Sequence, residues 1–521
     1  MSTPSQDLRP TVGRSVEVSQ TAPATIGVPD TGSDHQRRPV EVVGSADDAF
    51  QCALPKQPSP AAGASARPDV LGTSRTATGD SLFGQRMREL RTARGLSLRA
   101  LAGHALSSKS QLHAFETGRE RPTVETARHI DDALEAGGTL LALAATTGRG
   151  EGRPGTAGLE FTASWPRATE LAVDLWRRDA SRQTGIRRSG FDAAAFTTPV
   201  LRWLTASFDH RPVGDGDRPV ETSDVEVLRR SAEMFRDLDN QFGGGGVRER
   251  IVRFLDAEVA PLLLRGRFDG LVGAALLSAV AELSRLAGWT SYDVGLHGLG
   301  QRYLIQALRL ALAAGDVPLG AEIIAAMSHQ AAYLGAVDVA VDLARAAGKA
   351  AADAGFAALR AEAAVLEAHS LALRGDEQAC TDALDRAEHE LDRADRARDP
   401  QWIGYFDEAY LSAKFGQCFA SLGRGDLAAR FATRSLEMDG RFVRGRQFNL
   451  ALLARAFTQT GEIEQAATIA AEAMSVAEGL RSARVEDRLR YLSDQLRPHA
   501  EFAAVGDFVD RFDVRSGARL G

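Results

Sequence analysis

Long apolar runs and cysteine are both scarce in this chain of 521 residues. No run of about 18 apolar residues occurs, so the sequence predicts no membrane-spanning helix. Residues 1–7 lack the basic and then apolar order of a secretory signal, and we expect none. The three cysteines, Cys52, Cys380 and Cys418, are far apart and form no Cys-x-x-Cys pair. This usage predicts a reducing, cytoplasmic setting without a disulfide or zinc framework.

Catalytic and cofactor motifs are missing as well. The glycines at 243–246 are followed by Val247, Arg248 and Glu249, where a phosphate-binding loop needs Gly-Lys-Ser/Thr, so we expect a turn or hinge. The sequence has no Gly-x-Ser-x-Gly, no His-Glu-x-x-His and no close His/Cys/Asp cluster. His297 is expected to be a packed histidine rather than a catalytic base. These absences predict a protein that is no enzyme and that needs no cofactor or metal.

Composition divides the chain into segments. The hydrophobic share of 44% suffices for large buried cores, and the net charge is −7. Residues 1–80 are rich in Ser, Thr, Pro, Gly, Asp and Gln and show no hydrophobic period, which predicts a disordered segment. An extension from an upstream start codon is the alternative. A glycine-rich stretch predicts a flexible linker at 148–158, after a small domain at 81–147.

The small domain has the apolar spacing of short amphipathic helices. Apolar residues recur at helical intervals in four groups between Leu82 and Leu134, and short breaks separate the groups. Four helices in about fifty residues are typical of a helix-turn-helix domain.

The third of these helices is the most informative segment. Ser108 stands at an N-cap position, and Gln111 three residues later can close a capping box. Leu112 and Phe115 would bury one face, which leaves a short, polar and partly cationic face in solvent. Such a face suits a helix that enters the major groove of DNA by its N-terminal residues. Gly118 is expected to end the helix in the left-handed conformation.

This segment resembles the repressor-type helix-turn-helix family of phage and bacterial regulators. The matching residues are Arg88, Glu89, Leu90, Arg91, Gly95, Leu96, Ser97, Leu101, Ala102, Ser108, Lys109, Ser110, Gln111, Leu112, Phe115, Glu116, Gly118, Arg121, Pro122 and Thr123. The resemblance implies that Lys109, Ser110, Gln111 and Ala114 contact base edges. One departure is that Leu106 and Ser107 stand where the family has glycine and then a hydrophobic residue.

Local charge agrees with DNA binding. Between positions 86 and 121 the basic residues are Arg86, Arg88, Arg91, Arg94, Arg99, Lys109, Arg119 and Arg121, against the acidic Glu89, Glu116 and Glu120. A basic island in an acidic protein is typical of a regulator whose DNA contact is confined to one domain. We expect Arg99, Arg119 and Arg121 to contact phosphates, which give affinity but no sequence choice. A solvated charged face is the alternative.

The rest of the chain is rich in Ala and Leu, with helical periods and few strand signals. We expect a helical domain at 159–315, with a loop around 211–220, and helical repeats at 316–510. A weak repeat places glycines at 335, 375, 425 and 461, with spacings of 40, 50 and 36 residues. These are loose around the length of about 34 residues of a tetratricopeptide unit. We therefore predict an all-α protein, in which a helix-turn-helix domain precedes a tetratricopeptide-like α-solenoid; an irregular helical bundle is the alternative.

A stack of helix pairs presents a concave face built from the first helix of each pair. Alignment on the turn glycines predicts the following groove-facing residues: Glu322, His329, Glu362, His369, Phe448 and Arg455. They would form a surface for a peptide, a small molecule or a protein ligand. The alternative is that they are merely solvated helix positions.

The whole arrangement resembles actinobacterial regulators that join such a DNA-binding domain to a tetratricopeptide-like region. The residues 242–245 and 288–303 add to this likeness. The resemblance implies a regulator of development or of secondary metabolism that binds double-stranded DNA. We predict a repressor whose helical repeats sense a ligand or partner or form a homodimer, because selectivity normally needs two half-sites. A different class of function stays open, in which the repeats form a protein-binding scaffold and the helix-turn-helix is vestigial. The unusual turn at 106–107 favours that second class.

Overall fold

The computed structural model describes residues 79–520, apart from residues 106–107, 118–121, 123, 135, 141–156, 163 and 208–211. The described chain is all-α apart from three very short strands, and a helix-turn-helix domain is followed by a helical-repeat region, as the sequence predicts. The expected disordered segment at 1–80 lies outside the described residues except for its last two. The expected linker at 148–158 also lies outside them, except for residues 157–158.

The helix-turn-helix domain has its own small core. Its helices are α1 (Gly79–Ala93), α2 (Leu98–His104), α3 (Lys109–Glu116) and α4 (Val124–Ala133). Ten buried apolar residues form this core, including Met87, Leu112 and Ile130, none of which is exposed. The apolar residues at helical spacing thus include most of this core, while Leu90, Leu98 and Ala102 are only half-buried.

Short helices and a small sheet open the second part of the chain. These elements are α5 (Trp165–Ala180), α6 (Thr184–Arg187), α7 (Thr197–Leu204), β1 (Gly214–Asp215), β2 (Arg218–Pro219), α8 (Thr222–Phe242), α9 (Gly244–Phe254), α10 (Ala260–Arg265) and β3 (Gly266–Phe268). The central strand β3 pairs antiparallel with β1 and parallel with β2. The stretch expected to be only a loop thus contributes two edge strands. Sequence periodicity could not show them, because each has only two residues.

Antiparallel helix pairs make up the remainder. They are α11 (Gly270–Asp293) with α12 (His297–Ala314), α13 (Val317–Tyr333) with α14 (Val337–Ala354), α15 (Ala357–Leu373) with α16 (Glu377–Asp392), α17 (Glu408–Ser421) with α18 (Gly425–Arg434), α19 (Val443–Thr460) with α20 (Ile463–Val476), and α21 (Ala483–Leu496) with α22 (Ala503–Leu520).

The turn inside a pair depends on glycine. Gly335, Gly375 and Gly461 have φ of 78°, 80° and 83°, a region that costs other residues strain. The expectation that Gly425 plays this role is wrong, because Gly423 carries the positive φ of 72°. Gly425 instead starts α18 and packs closely on α19, where an added Cβ would lie 2.8 Å from the Gln459 Cβ.

The stack begins earlier than residue 316. The pair α11 and α12 already packs on α13, and one buried apolar cluster runs from Ala157 to Cys418 across the expected boundary. Among the described residues, α11 is the one helix long and apolar enough to span a membrane, but 67% of its most apolar window is buried inside the protein. Such burial is typical of a core helix.

The last pairs of the stack contact its first helices. The Arg481 amide donates to the Phe242 carbonyl, and the Gly245 amide donates to the Arg481 carbonyl, both at 2.8 Å. Gly243, with a φ of 75°, is thus the turn between α8 and α9, and the next three glycines begin α9. They allow a close contact, since a Cβ on Gly245 would meet the Arg481 carbonyl at 2.8 Å. The N-terminus of α9 is also occupied, because the Gly244 amide donates to Asp293 at 2.9 Å.

A buried ion pair joins the same elements. Arg444 on α19 donates two hydrogen bonds of 2.7 Å to the two carboxylate oxygens of Asp239 on α8, and it lies 3.3 Å from Asp293 at the end of α11. We call this pair, together with the backbone bonds of Arg481, the closing contact. It places residues more than two hundred positions apart around one interior space.

Candidate nucleic-acid interface and internal cavity

The exposed face of α3 carries the predicted base-contacting residues. Lys109, Ser110 and Gln111 are exposed, and Ala114 is half-buried. Ser108 caps the helix as expected, because its Oγ accepts from the Gln111 amide at 3.1 Å. The reciprocal bond of a capping box, from the Gln111 side chain, is not present in the described part of the domain. The Gln111 side chain therefore remains in solvent.

Two contacts fix α3 against α1. Arg91 donates from Nε to Glu116 Oε1 at 2.6 Å and from Nη1 to the Leu96 carbonyl at 2.7 Å. Gly84 lies so close to the end of α3 that an added Cβ would be 2.3 Å from the Phe115 carbonyl oxygen. The sequence marked Arg91 and Glu116 as charged residues that match the family but did not predict their ion pair, and it gave no sign of the role of Gly84. Arg91 thus holds α3 from the side of α1, and the exposed face of α3 stays accessible to a ligand.

The expected phosphate contacts are only partly described. Arg99 is exposed near the start of α2. Arg119, Arg121 and Gly118 lie outside the described residues, as does the unusual turn at 106–107.

Comparison with known proteins agrees with this geometry. The sequence model of the helix-turn-helix domain family matches residues 82–144. No curated protein matches the chain. The chain therefore contains a helix-turn-helix domain, and this domain supports a DNA-binding regulator.

A cavity of about 190 Å³ lies inside the helical stack. It is lined by the first helix of each pair from α11 to α21, by α8, and by the connectors before α17 and α19. Glu322, His329, Glu362 and Phe448 from the predicted groove line it. Because a water needs roughly 15 Å³ of such space, the cavity holds on the order of ten waters or a small organic molecule.

Two predicted groove residues are placed differently. Arg455 is buried and does not line the cavity, because its Nη2 donates to the Ala420 carbonyl at 2.6 Å. Its guanidinium also lies over the Tyr491 ring at 5.7 Å. His369 does not line the cavity either, and burial, and then the charge of Lys414, lower its pKa well below the usual value.

One side of the cavity holds two buried carboxyl groups. The Tyr405 hydroxyl donates to Glu362 and lies 3.2 Å from Glu322 Oε1, which also accepts from Arg285 Nη1 at 2.9 Å. Burial, and then the neighbouring Glu322, raise the pKa of Glu362 well above its usual range. The Oε2 of Glu362 is buried without a hydrogen-bond partner in the described structure. Alignment of the internal repeat on its turn glycines predicts the two glutamates but not Tyr405 or Arg285.

Cationic and aromatic side chains also line the cavity. Arg484 lies over the rings of Tyr292, Phe448 and Trp289 at 4.7, 4.9 and 5.4 Å. Lys414 is only 3% exposed and its Nζ lies 5.5 Å from the centre of the Tyr410 ring. Neither cation could be predicted as a site residue, because neither occupies an aligned repeat position.

The histidines of this region are packed and neutral. The His329 Nδ1 lies 3.3 Å from the Tyr292 hydroxyl, and the pKa of His329 is lowered well below its usual value by burial and then by Lys414. His297 packs beside the Tyr292 and Tyr333 rings at 5.8 and 6.0 Å, and burial lowers its pKa too. A cavity with apolar walls and a few convergent polar groups is typical of a ligand-binding site.

Proposed function

We propose that this protein is a sequence-specific DNA-binding regulator, acting as a repressor in the cytoplasm rather than as an enzyme. The helical stack would sense a ligand in its cavity and set the geometry of a dimer on DNA. The resemblance to actinobacterial regulators of development and secondary metabolism supports this role. The exposed N-terminal face of α3, within the matched helix-turn-helix domain, is the observation that carries the proposal.

The chemistry of that face agrees with base readout. Lys109 and Gln111 are exposed, and their side chains offer ammonium donors and an amide that can pair with base edges. The ion pair between Arg91 and Glu116 holds α3 against α1, so the orientation of α3 does not depend on DNA. Such rigidity is what a recognition helix needs, since loose side chains pay ordering entropy on binding.

We expect a dimer because one small domain contacts only a few base pairs. A single recognition helix makes few base contacts, so selectivity normally requires two half-sites about one DNA turn apart. We therefore expect the full chain to sediment as a dimer and to bind DNA more tightly than a fragment of residues 79–148.

Titration of fluorescent DNA from the protein's own promoter tests the proposal. Lys109→Ala with Gln111→Ala should abolish selective binding at about 150 mM salt, since each base contact contributes about 1–3 kcal/mol. The matched control is Lys349→Ala with Gln378→Ala, which removes the same two residue types from exposed positions on α14 and α16. If the α3 variant bound promoter DNA as tightly as the control variant, α3 would not be the recognition helix, and the scaffold function would be favoured.

A further inference from the structure

The cavity contains a buried cation that the described protein leaves unbalanced. Lys414 lies on α17, lines the cavity and is 3% exposed. Its ammonium has neither an ion pair nor a hydrogen-bond acceptor among the described residues, and its Nζ lies 5.5 Å from the centre of the Tyr410 ring. An ammonium taken out of water without a partner is costly, and proteins rarely retain one without use.

After burial, two cations, Arg484 and Arg488, lower the pKa of Lys414, whereas Cys418 and Glu362 act in the opposite direction. The charged groups that shift the pKa of His329, after burial, include Lys414, Arg484 and Arg488, all of them cationic. Burial first, and then Arg484, lower the pKa of Lys414 to about 8. The nearby carboxyl of Glu362 offers less compensation than an ordinary carboxylate, because burial, and then Glu322, raise its pKa well above the usual range.

Lysine is a rare choice in this protein. The sequence has four lysines, at positions 56, 109, 349 and 414, among 62 basic residues. An ammonium presents three donors from one point and recognises a single anionic group without the planar fork of a guanidinium. Arginine serves the buried structural pairs here, as at Arg285 and Arg444.

The remaining walls define the rest of a ligand. Trp289, Phe448 and Leu366 offer apolar surface, and the unpartnered Glu362 Oε2 offers a hydrogen-bonding position. The cavity volume of about 190 Å³ suits a small molecule and is too small for a long peptide.

We propose that the cavity binds a small organic carboxylate, whose anionic group pairs with Lys414 while its apolar body packs on Trp289 and Phe448. This inference rests on the sensor role proposed above and names its ligand class. Lys414 is the residue that selects the charge of the ligand. Glu362 and Tyr405 then select a second, polar group of the ligand.

Titration calorimetry on the full chain tests this inference without DNA. The probes are phenylacetate, indole-3-acetate and hexanoate, each compared with its neutral amide, and inorganic sulfate as an anion without an apolar body. At least one acid should bind at least tenfold more tightly than its amide, and sulfate should bind more weakly than that acid. Equal binding of acid and amide, or no saturable binding of any acid at millimolar concentration, would overturn the proposal.

Two variants localise the effect. Lys414→Met should weaken binding of the acid at least tenfold, whereas Lys349→Met, at an exposed position, should leave it unchanged. Lys414→Gln keeps a polar side chain, and a melting curve without probe shows that each variant is folded. If both Lys414 variants bound the acid as tightly as the wild type, Lys414 would contact only water in the cavity and the proposed ion pair would be refuted.

The same samples separate this inference from the proposed function. A bound acid that leaves promoter affinity unchanged would retain the site but refute the sensor role. Promoter binding that depends on α3, with no acid bound, would retain the regulator and refute the carboxylate site.

Discussion

Replacing Arg444 with methionine should strongly destabilise the helical stack. The change leaves Asp239, which is 3% exposed, without its two charge-assisted hydrogen bonds of 2.7 Å. Removing one partner of a buried ion pair typically costs about 3–5 kcal/mol, because the stranded charge stays buried. Asp293 should suffer less, since it still accepts from Gly244 and Ser482 at 2.9 Å.

An exposed pair with the same chemistry provides the control. Arg265 also binds both carboxylate oxygens of an aspartate, Asp217, at 3.0 and 2.5 Å, but both side chains are 66% exposed. Arg265→Met should therefore give no resolvable change in stability, because water solvates the carboxylate that remains. The two variants differ in burial and share the same broken interaction.

Guanidinium unfolding followed by tryptophan fluorescence measures the difference. The five tryptophans, at positions 165, 176, 203, 289 and 402, all lie outside the helix-turn-helix domain, so the signal reports on the stack. Adding Asp239→Asn to Arg444→Met should recover more than half of the lost free energy of unfolding, since the stranded charge is gone. If Arg444→Met lost no more stability than Arg265→Met, the argument from buried charge would be refuted.

Two further changes should separate local packing from charge. Gly84→Ala forces a Cβ against the Phe115 carbonyl and should lower protection from hydrogen exchange in α1 and α3, with a cost of about 1–3 kcal/mol. Gly103→Ala, which has open space on α2, should be neutral or slightly stabilising, and equal protection in the two variants would contradict the packing argument. Because burial lowers the folded-state pKa of Lys414 from 10.5 to about 8, the unfolded chain binds more protons between these values, and wild-type stability rises with pH there. Lys414→Met should be more stable than wild type by roughly 2–4 kcal/mol below pH 8 and should lose this advantage above about pH 11, which melting curves across that range will check.

The helix-turn-helix domain could be predicted well because its signals are local. The N-cap at Ser108 and the buried Leu112 and Phe115 depend on neighbours within one helical turn. Gly84 could not be recognised, since its need for a missing side chain arises from a carbonyl 31 positions away. A single sequence gives no sign of such a contact.

The cavity was predictable only where the repeat was regular. Glu322 and Glu362 follow from the turn glycines, but Tyr405 lies in a connector and Asp239 on a helix outside the repeat. The pair α11 and α12 was also missed as part of the stack. Most of α11 is buried on more than one side, so the polar face that reveals an amphipathic helix is weak.

The closing contact makes the cavity a property of the whole stack rather than of any one repeat. Arg236 on α8, which precedes the stack, and Arg484 on α21, in its last pair, line the same space, so the cavity joins the two ends of this region. A molecule that binds there contacts both ends at once. By mass action it stabilises the protein in which the closing contact is formed, in proportion to its occupancy. Conversely, loss of the Asp239–Arg444 pair should weaken ligand binding even though Lys414 is unchanged, since the fraction of closed protein falls. Linkage requires these two effects to be reciprocal, so the carboxylate that binds most tightly should also protect the stack most strongly against guanidinium.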